Sequence, residues 1–422
     1  MSGEQKGNNM IESSCRCCGN KNLKSVIDLG KSPLANNLLN DNQETAELYP
    51  LEVLYCNNCH YCQLSYSVPS NKLFDTYLYT SSTTKSFQNH FREAAQKYAE
   101  RFKLTSDSCV LDIGCNDGIA LIPFKEMGIK VFGVDPASNI IPIVESKGID
   151  VMQAYFNEDV AEKILQKLGK VDLVTASNVF AHSPDIDNIV KGVFKLLKED
   201  GTFVVEVQYV YDTVKDLTFD NIYHEHVSYW SVSSLSYFFN KHGYTVVDVE
   251  HIPTHGGSIR VYVQNKPKYI SSSVSNFIQK EINEGFTSFD AYRSFGERIK
   301  RVKHNISQNI VTLKKDGYKL VGYGAPAKAT TALNFYQIDN KIIDYVVEDN
   351  KLKHNKIIPG INIPIYSKDI ISINKPDIII VLAWNFFLEI EKNNPQFKEL
   401  NIKLKNIKEL EQPPENFNMY LL

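Results

Sequence analysis

The 422-residue sequence has no run of about 18 apolar residues, so nothing in it reads as a membrane-spanning helix. It also has no excess of charge of one sign. Lys and Arg number 46 against 49 Asp and Glu, a net charge of −3, which removes the electrostatic footprint expected of a nucleic-acid binder. The opening residues, MSGEQKGNNM, lack an apolar core, so no secretory signal is read and a cytoplasmic location is expected. Cysteine is scarce through most of the chain: only Cys109 and Cys115 lie beyond Cys62. That placement excludes a disulfide framework spread over a small secreted fold. What remains is a hydrophobic content of 43%, ordinary for a globular protein, in a chain long enough for two or three domains.

The other cysteines cluster at the start. Cys15 and Cys18 form one C-x2-C pair and Cys56 and Cys59 a second, which lets four thiolates meet one tetrahedral ion. Such a set favours zinc and leaves no open position, so the expected role is structural. Cys17 lies too close to Cys15 for a knuckle. Cys62 also makes a C-x2-C with Cys59, but it leads into QLSY, which alternates like a strand. The loop between the pairs, including SPLANNLL, is too small to fold without the ion. The competing reading is a group of buried free thiols.

Residues 84–105 carry a helical apolar stripe through Phe87, Phe91, Ala95, Tyr98 and Phe102. CVLDIGCNDG, KVFGVDP and VDLVTASNVFAHSPD follow as short β-rich runs separated by helical ones. That rhythm predicts an open, mostly parallel sheet with its ligand at the carboxyl ends of the strands. Asp112, Gly114, Asn116 and Gly118 fall at the first such end, where glycine lets backbone approach a ligand. Asp135 closes the second strand and is placed to take the hydroxyls of an adenosine ribose. The loop GCNDG lacks the G-x-G-x-x-G turn of nicotinamide enzymes, and Asp117 supplies a carboxylate for an ammonium. S-adenosylmethionine is therefore the expected cofactor. Asn178 and His182 sit at the tip of a fourth strand, where polar groups face the ligand crevice; capping a turn is the other role open to His182.

The densest titratable cluster is IYHEHVSYWS, with Tyr223, His224, Glu225 and His226 in succession. Glu206 and Tyr209 end the strand before it. A neutral imidazole is a suitable base near neutral pH. His226 is read as that base, acting on a carbon acid such as a C–H beside a ketone. Tyr223 and His182 are candidate donors to the enolate, and Glu225 either fixes geometry or makes the site anionic. A buried hydrogen-bonded cluster or a second metal site are the alternatives. THGGSIR then offers His255, Ser258 and Arg260 beside a glycine turn, either an anion or carbonyl site or an ordinary hairpin.

Residues 268–315 read as a helical linker. From KLVGYGAPAK the strand–glycine loop–helix pattern restarts and predicts a second, smaller Rossmann-like unit over residues 316–422. Gly322, Gly324 and the helix after Ala325 suit a diphosphate, with Lys328 either beside it or facing solvent. Glu348 or Asp349 occupies a ribose position, and Trp384 and Asn385 end a strand near an interdomain cleft. Two nucleotide-type loops imply two nucleotide-bearing ligands, a cofactor and a nucleotide-linked substrate.

Taken with CRCCG, CNNC, YLYTSS, NVFAHSPD, HGGSIR and LAWNF, these motifs resemble, over nearly the whole chain, the bacterial sugar C-methyltransferases that methylate C3 of nucleotide-linked 4-keto deoxysugars. The resemblance implies a class I methyltransferase Rossmann-like core over residues 79–267. It further implies a zinc module over residues 1–78 held by Cys15, Cys18, Cys56 and Cys59, and a smaller C-terminal Rossmann-like domain that helps hold the nucleotide sugar. His226 resembles the family's base, with Tyr223, Glu225 and His182 at neighbouring active-site positions. A tyrosine of YLYTSS approaches the sugar, Tyr77 by order, with Tyr79 its competitor. Cys62 stands where this family often has an aliphatic residue. The dTDP, GDP or CDP identity of the nucleotide stays open. A monomer or weak homodimer is expected, and the alternative activity is O- or N-methylation of a nucleotide sugar or small metabolite.

Overall fold

The computed structural model describes residues 11–41, 44–75, 82 and 85–413, which form three sheets. The first contains β1 (Leu23–Pro33), β2 (Leu48–Cys56) and β3 (Cys62–Leu64), paired antiparallel. Along β2 the buried Leu51, Val53 and Tyr55 alternate with half-buried residues, so one face meets the core. The register sets Leu23 opposite Cys56, which brings the second cysteine pair back beside the first.

The second sheet begins with β4 (Cys109–Ile113), β5 (Lys130–Asp135), β6 (Asp150–Gln153), β7 (Val171–Ser177) and β8 (Leu197–Gln208). The chain then leaves this sheet, and β9 (Ser228–Tyr229) pairs with β3 as the fourth strand of the first sheet. It returns through β10 (Thr245–Ile252) and β11 (Ser258–Gln264). The strand order is β10-β11-β8-β7-β4-β5-β6, parallel from β6 to β8 and antiparallel beyond. The central strands are apolar on both sides because both faces are covered. Val110 and Leu173 join a cluster with Ala95 and Tyr98, whereas Leu111 and Val174 join one with Ala161 and Ile164. The chain starts at β4, runs outward to β6, and crosses back to β7. The crevice at the carboxyl ends of β4 and β7 is therefore the topological switch point.

The third sheet repeats the scheme with β12 (Leu320–Tyr323), β13 (Val346–Val347), β14 (Ile357–Ile358), β15 (Ile363–Tyr366), β16 (Ile378–Val381) and β17 (Lys403–Asn406). Its order is β14-β15-β13-β12-β16-β17, parallel except between β14 and β15, with a switch point between β12 and β16. Helices Ser272–Asn283 and Phe289–Lys315 span the region read as a linker. The longer one lies against β1 at Gly296, where a Cβ would come 2.2 Å from the Val26 carbonyl oxygen. Its Asn309 side chain donates to the Leu410 and Gln412 carbonyls, so it also ties down the C-terminal unit.

One feature departs from a boundary drawn along the sequence. Residues 228–229 complete the sheet of the N-terminal module, because β3 would otherwise be an unpaired edge and Tyr229 buries against it. No helix among the described residues is long and apolar enough to cross a membrane.

Candidate active site

A cavity of about 450 Å³ runs from the carboxyl ends of β4, β5 and β7 to the loops after β12 and β16, so all three modules line it. At its first end the chain turns sharply after β4. Gly114 has φ +67, and a Cβ there would lie 2.4 Å from Val179 Cγ2, so only glycine fits. Asn116 also adopts a positive φ of 46. Its N–H donates to Asp135 Oδ2 at 2.9 Å, while the Ala137 N–H donates to Oδ1 at 2.9 Å. Both carboxylate oxygens are thus aimed by backbone and keep lone pairs for a diol. Asp112 accepts the Thr175 hydroxyl at 2.6 Å, and burial pushes its carboxyl up to about 7. Asn178, left-handed at φ +57, lines the same wall.

The polar middle of the cavity is built by the turn after the short helix Phe219–Asn221. Tyr223 and His226 line it, their rings in contact at a tilt of 38° with centroids 4.1 Å apart. The His226 Nδ1–H donates to the Asn221 carbonyl at 2.8 Å, which places the lone pair of the neutral ring on Nε2. The His182 ring centroid lies 5.0 Å from that of His226, and burial, then the repulsion two protonated rings would feel, hold His182 well below the usual imidazole range. The two residues between Tyr223 and His226 face the other way. His224 reaches the Tyr49 and Pro50 carbonyls, and Glu225 accepts from Asn36 Nδ2 at 2.6 Å. Asn36, on the SPLANN loop of the zinc module, itself lines the cavity and was missed in the sequence.

At the far end the C-terminal unit repeats the cofactor end in miniature. Gly324 turns at φ +85, and Glu348 accepts the Ala325 N–H at 2.7 Å and the Asn350 N–H at 2.9 Å, the pattern made by Asp135. Lys328 and Asn385 line the cavity and are hydrogen-bonded to each other. Burial lowers the Lys328 ammonium from its usual range, as it does that of Lys353. Lys353 lines the cavity and donates to the Ala325 carbonyl at 2.8 Å. It too went unnoticed, although it lies in the loop that follows the acidic end of β13.

Other expected site residues stand elsewhere. Arg260 is 4% exposed and pairs with Glu206 at 2.8 Å inside the sheet; Glu206 also meets His90 at 2.8 Å. Burial alone would raise that carboxyl, but His90 and Arg260 hold it below its usual range. Ser258 is fully buried and donates to the Thr254 carbonyl, so the HGGSIR turn serves packing rather than the cavity. Asp117 bonds Ser82 and Lys147 behind the glycine loop, where Gly118 also turns away. At Gly322 a Cβ would meet Val346 at 2.8 Å, which makes it a packing position. Trp384 gives its indole N–H to Asp220 instead of to the cavity, and Glu348, bound to its two backbone donors, does not line the cavity. Tyr209 bonds Glu281 in the core. Tyr77, Tyr79 and the His255 side chain lie outside the described residues.

The ligand sulfurs of Cys15, Cys18, Cys56 and Cys59 all lie within 4.8 Å of one another. Four thiols converging in a buried pocket fit a structural zinc with no position left for substrate. Cys17 and Cys62 are buried beside them.

Family profiles match in chain order: a zinc binding domain over residues 15–74, a methyltransferase domain over 87–249 and a C-methyltransferase C-terminal domain over 253–405. C-methyltransferase NovU of Streptomyces niveus is 36% identical over 389 residues, 91% of this chain and 93% of NovU. A ubiquinone biosynthesis O-methyltransferase of Bartonella bacilliformis is 28% identical over 97 residues, covering 23% of this chain and 39% of that protein. Among solved structures, the magnesium protoporphyrin IX methyltransferase of Synechocystis PCC 6803 with bound SAH aligns at TM-score 0.33 and 16% identity, over 42% of this chain and 82% of that one.

Proposed function

Because the chain belongs to the zinc-containing, S-adenosylmethionine-dependent C-methyltransferase family of NovU, we propose that the carbon it methylates is C3 of a nucleotide-linked 4-keto deoxysugar. The observation that carries this reading is His226, whose Nδ1–H is taken by the Asn221 carbonyl, leaving Nε2 as the available nitrogen of a ring that lines a cavity shared by two nucleotide-type loops. A ketone at C4 acidifies the neighbouring C3–H. His226 Nε2 takes that proton, and the electron pair left on C3 delocalises onto the C4 oxygen. Tyr223 and the neutral His182 supply donors to that oxygen. S-adenosylmethionine, when bound, supplies an electrophilic methyl group. Asp112, Gly114, Asn116, Asp135 and Asn178 hold it. Lys328, Asn385 and Lys353 face the charge of the nucleotide. Glu225, bonded to Asn36, fixes the turn that carries the base. We place the enzyme in the cytoplasm, where thiols stay reduced for zinc, acting as a monomer or weak homodimer.

His226→Ala tests the reading. Binding of S-adenosylmethionine by calorimetry should stay close to that of the wild type, while turnover of a panel of dTDP-, GDP- and CDP-linked 4-keto sugars falls by about 10²–10⁴-fold. Wild-type turnover would remove His226 as base. A product whose NMR shows O–CH3 or N–CH3 would replace carbon by a heteroatom as the acceptor.

A further inference from the structure

The short helix and turn that carry the base are clamped from the C-terminal unit by side chains that do not themselves line the cavity. Phe219 packs between Phe335 and Tyr336, at ring centroids 5.2 and 5.5 Å away. Lys408 Nζ donates to the Leu217 carbonyl at 3.1 Å. Between these anchors, Trp384 Nε1–H donates to Asp220 Oδ2 at 2.6 Å. Asp220 is 5% exposed, and its second oxygen, Oδ1, has no hydrogen-bond partner among the described residues. A buried carboxylate with so few partners is costly, and it is tolerated where surrounding structure holds it. The residue after Asp220 is Asn221, whose carbonyl accepts the His226 proton.

Trp384 is itself gripped. Lys328 Nζ lies 4.6 Å from its ring centroid and Lys408 Nζ 5.3 Å. Gly256 lies against its edge, where a Cβ would come 3.2 Å from the indole. Two cations on an aromatic face draw electron density and strengthen the indole N–H as a donor. Lys328 also lines the cavity, so the same side chain touches the substrate's compartment and the clamp.

We propose that Trp384 and Asp220 are positioning residues for the base. Their hydrogen bond fixes the Asp220–Asn221 backbone, and through the Asn221 carbonyl it fixes both the orientation and the tautomer of His226. The C-terminal unit thereby does more than hold the nucleotide: its docking completes the base. The proposal rests on the reading of His226 as the base. It adds a claim that reading does not need, that the imidazole is aimed from a different module.

The test uses the full chain with the substitutions Trp384→Phe, Asp220→Asn, Asp220→Ala and His226→Ala. Phenylalanine keeps an aromatic ring beside the lysines and removes the N–H together with the pyrrole part of the indole. Asparagine keeps an oxygen to accept from Trp384; alanine keeps none. Turnover is measured on whichever dTDP-, GDP- or CDP-linked 4-keto sugar the wild type accepts, protiated and deuterated at C3. Nitrogen NMR of labelled imidazoles, with His226→Ala for assignment, reads the tautomer without substrate. Trp384→Phe should lower kcat by about 10–100-fold, the scale of an ångström-sized misplacement. It should leave the KM for S-adenosylmethionine within about threefold, raise the C3 deuterium isotope effect on kcat, and mix the His226 tautomers. Asp220→Asn should retain more kcat than Asp220→Ala. A merely structural role would lower stability without touching the isotope effect or the tautomer. If Trp384→Phe keeps wild-type kcat, isotope effect and tautomer while His226→Ala is inactive, the positioning proposal falls and the base stands. If His226→Ala turns over normally, the reading of the base falls first. Should Asp220→Ala fail to fold, Trp384→Phe decides alone.

Discussion

Replacing His224 by glutamine isolates what one histidine contributes to acid lability. His224 is 1% exposed, with Nε2 3.3 Å from the Tyr49 oxygen and 3.2 Å from that of Pro50. Its Nδ1 has no hydrogen-bond partner among the described residues, so protonation would bury a charge without a contact, and burial pushes the ring down to about 4. In the unfolded chain the imidazole titrates near about 6.5. Between those values the unfolded state binds a proton that the folded state refuses. Stability therefore falls as pH drops through the window and is unaffected by this group above it. The full window is worth about 3 kcal/mol, of which about 2 kcal/mol is lost between pH 7 and pH 5. A glutamine amide offers two N–H donors to the same two carbonyls and does not titrate. Urea unfolding of both proteins at the two pH values gives the answer. The wild type should lose about 2 kcal/mol more than His224→Gln on acidification. Equal losses would mean that His224 is hydrated or partnered in solution, and that the turn is not pinned to the N-terminal sheet as described.

Asp135→Asn leaves a single side-chain oxygen for two backbone donors, a loss of about 1–3 kcal/mol, so S-adenosylmethionine should bind about 10–100-fold more weakly by calorimetry. Unchanged affinity would take Asp135 out of the cofactor site. Cys56→Ser should cut zinc content measured by atomic absorption and lower the midpoint of thermal unfolding, because the small first sheet loses its staple. Full zinc retention would hand the fourth ligand to Cys17 or Cys62.

Signals confined to a few adjacent residues were legible in the sequence. The paired cysteines, the Gly114 turn and the acidic end of β5 each announce themselves because the geometry they serve is local. The run of Tyr223 to His226 was equally visible, but its division was not. Which members face the cavity depends on the turn, and the partners of the other two, Asn36 and the Tyr49 and Pro50 carbonyls, lie far back in the chain. Arg260 misled for the same reason. Beside a glycine turn it looks like an anion site, yet β11 is buried along six of its seven residues, and its counter-charge, Glu206, sits on the adjacent strand. Trp384 was expected near an interdomain cleft, and only the fold shows that it meets Asp220. Lys353 hides in a polar loop whose importance appears only once β13 is seen as the counterpart of β5.

The pairing of Cys62 with Tyr229 has a consequence for biosynthesis. The strands of the zinc module leave the ribosome before their sheet's fourth strand, which is translated roughly 8–33 seconds later at about 5–20 residues per second. Throughout that interval β3 offers bare backbone donors and acceptors to any passing chain. Early capture of metal by the nascent cysteines would keep this half-finished sheet folded until its last strand arrives, so zinc starvation should show first as aggregated newborn protein and only later as lost catalysis.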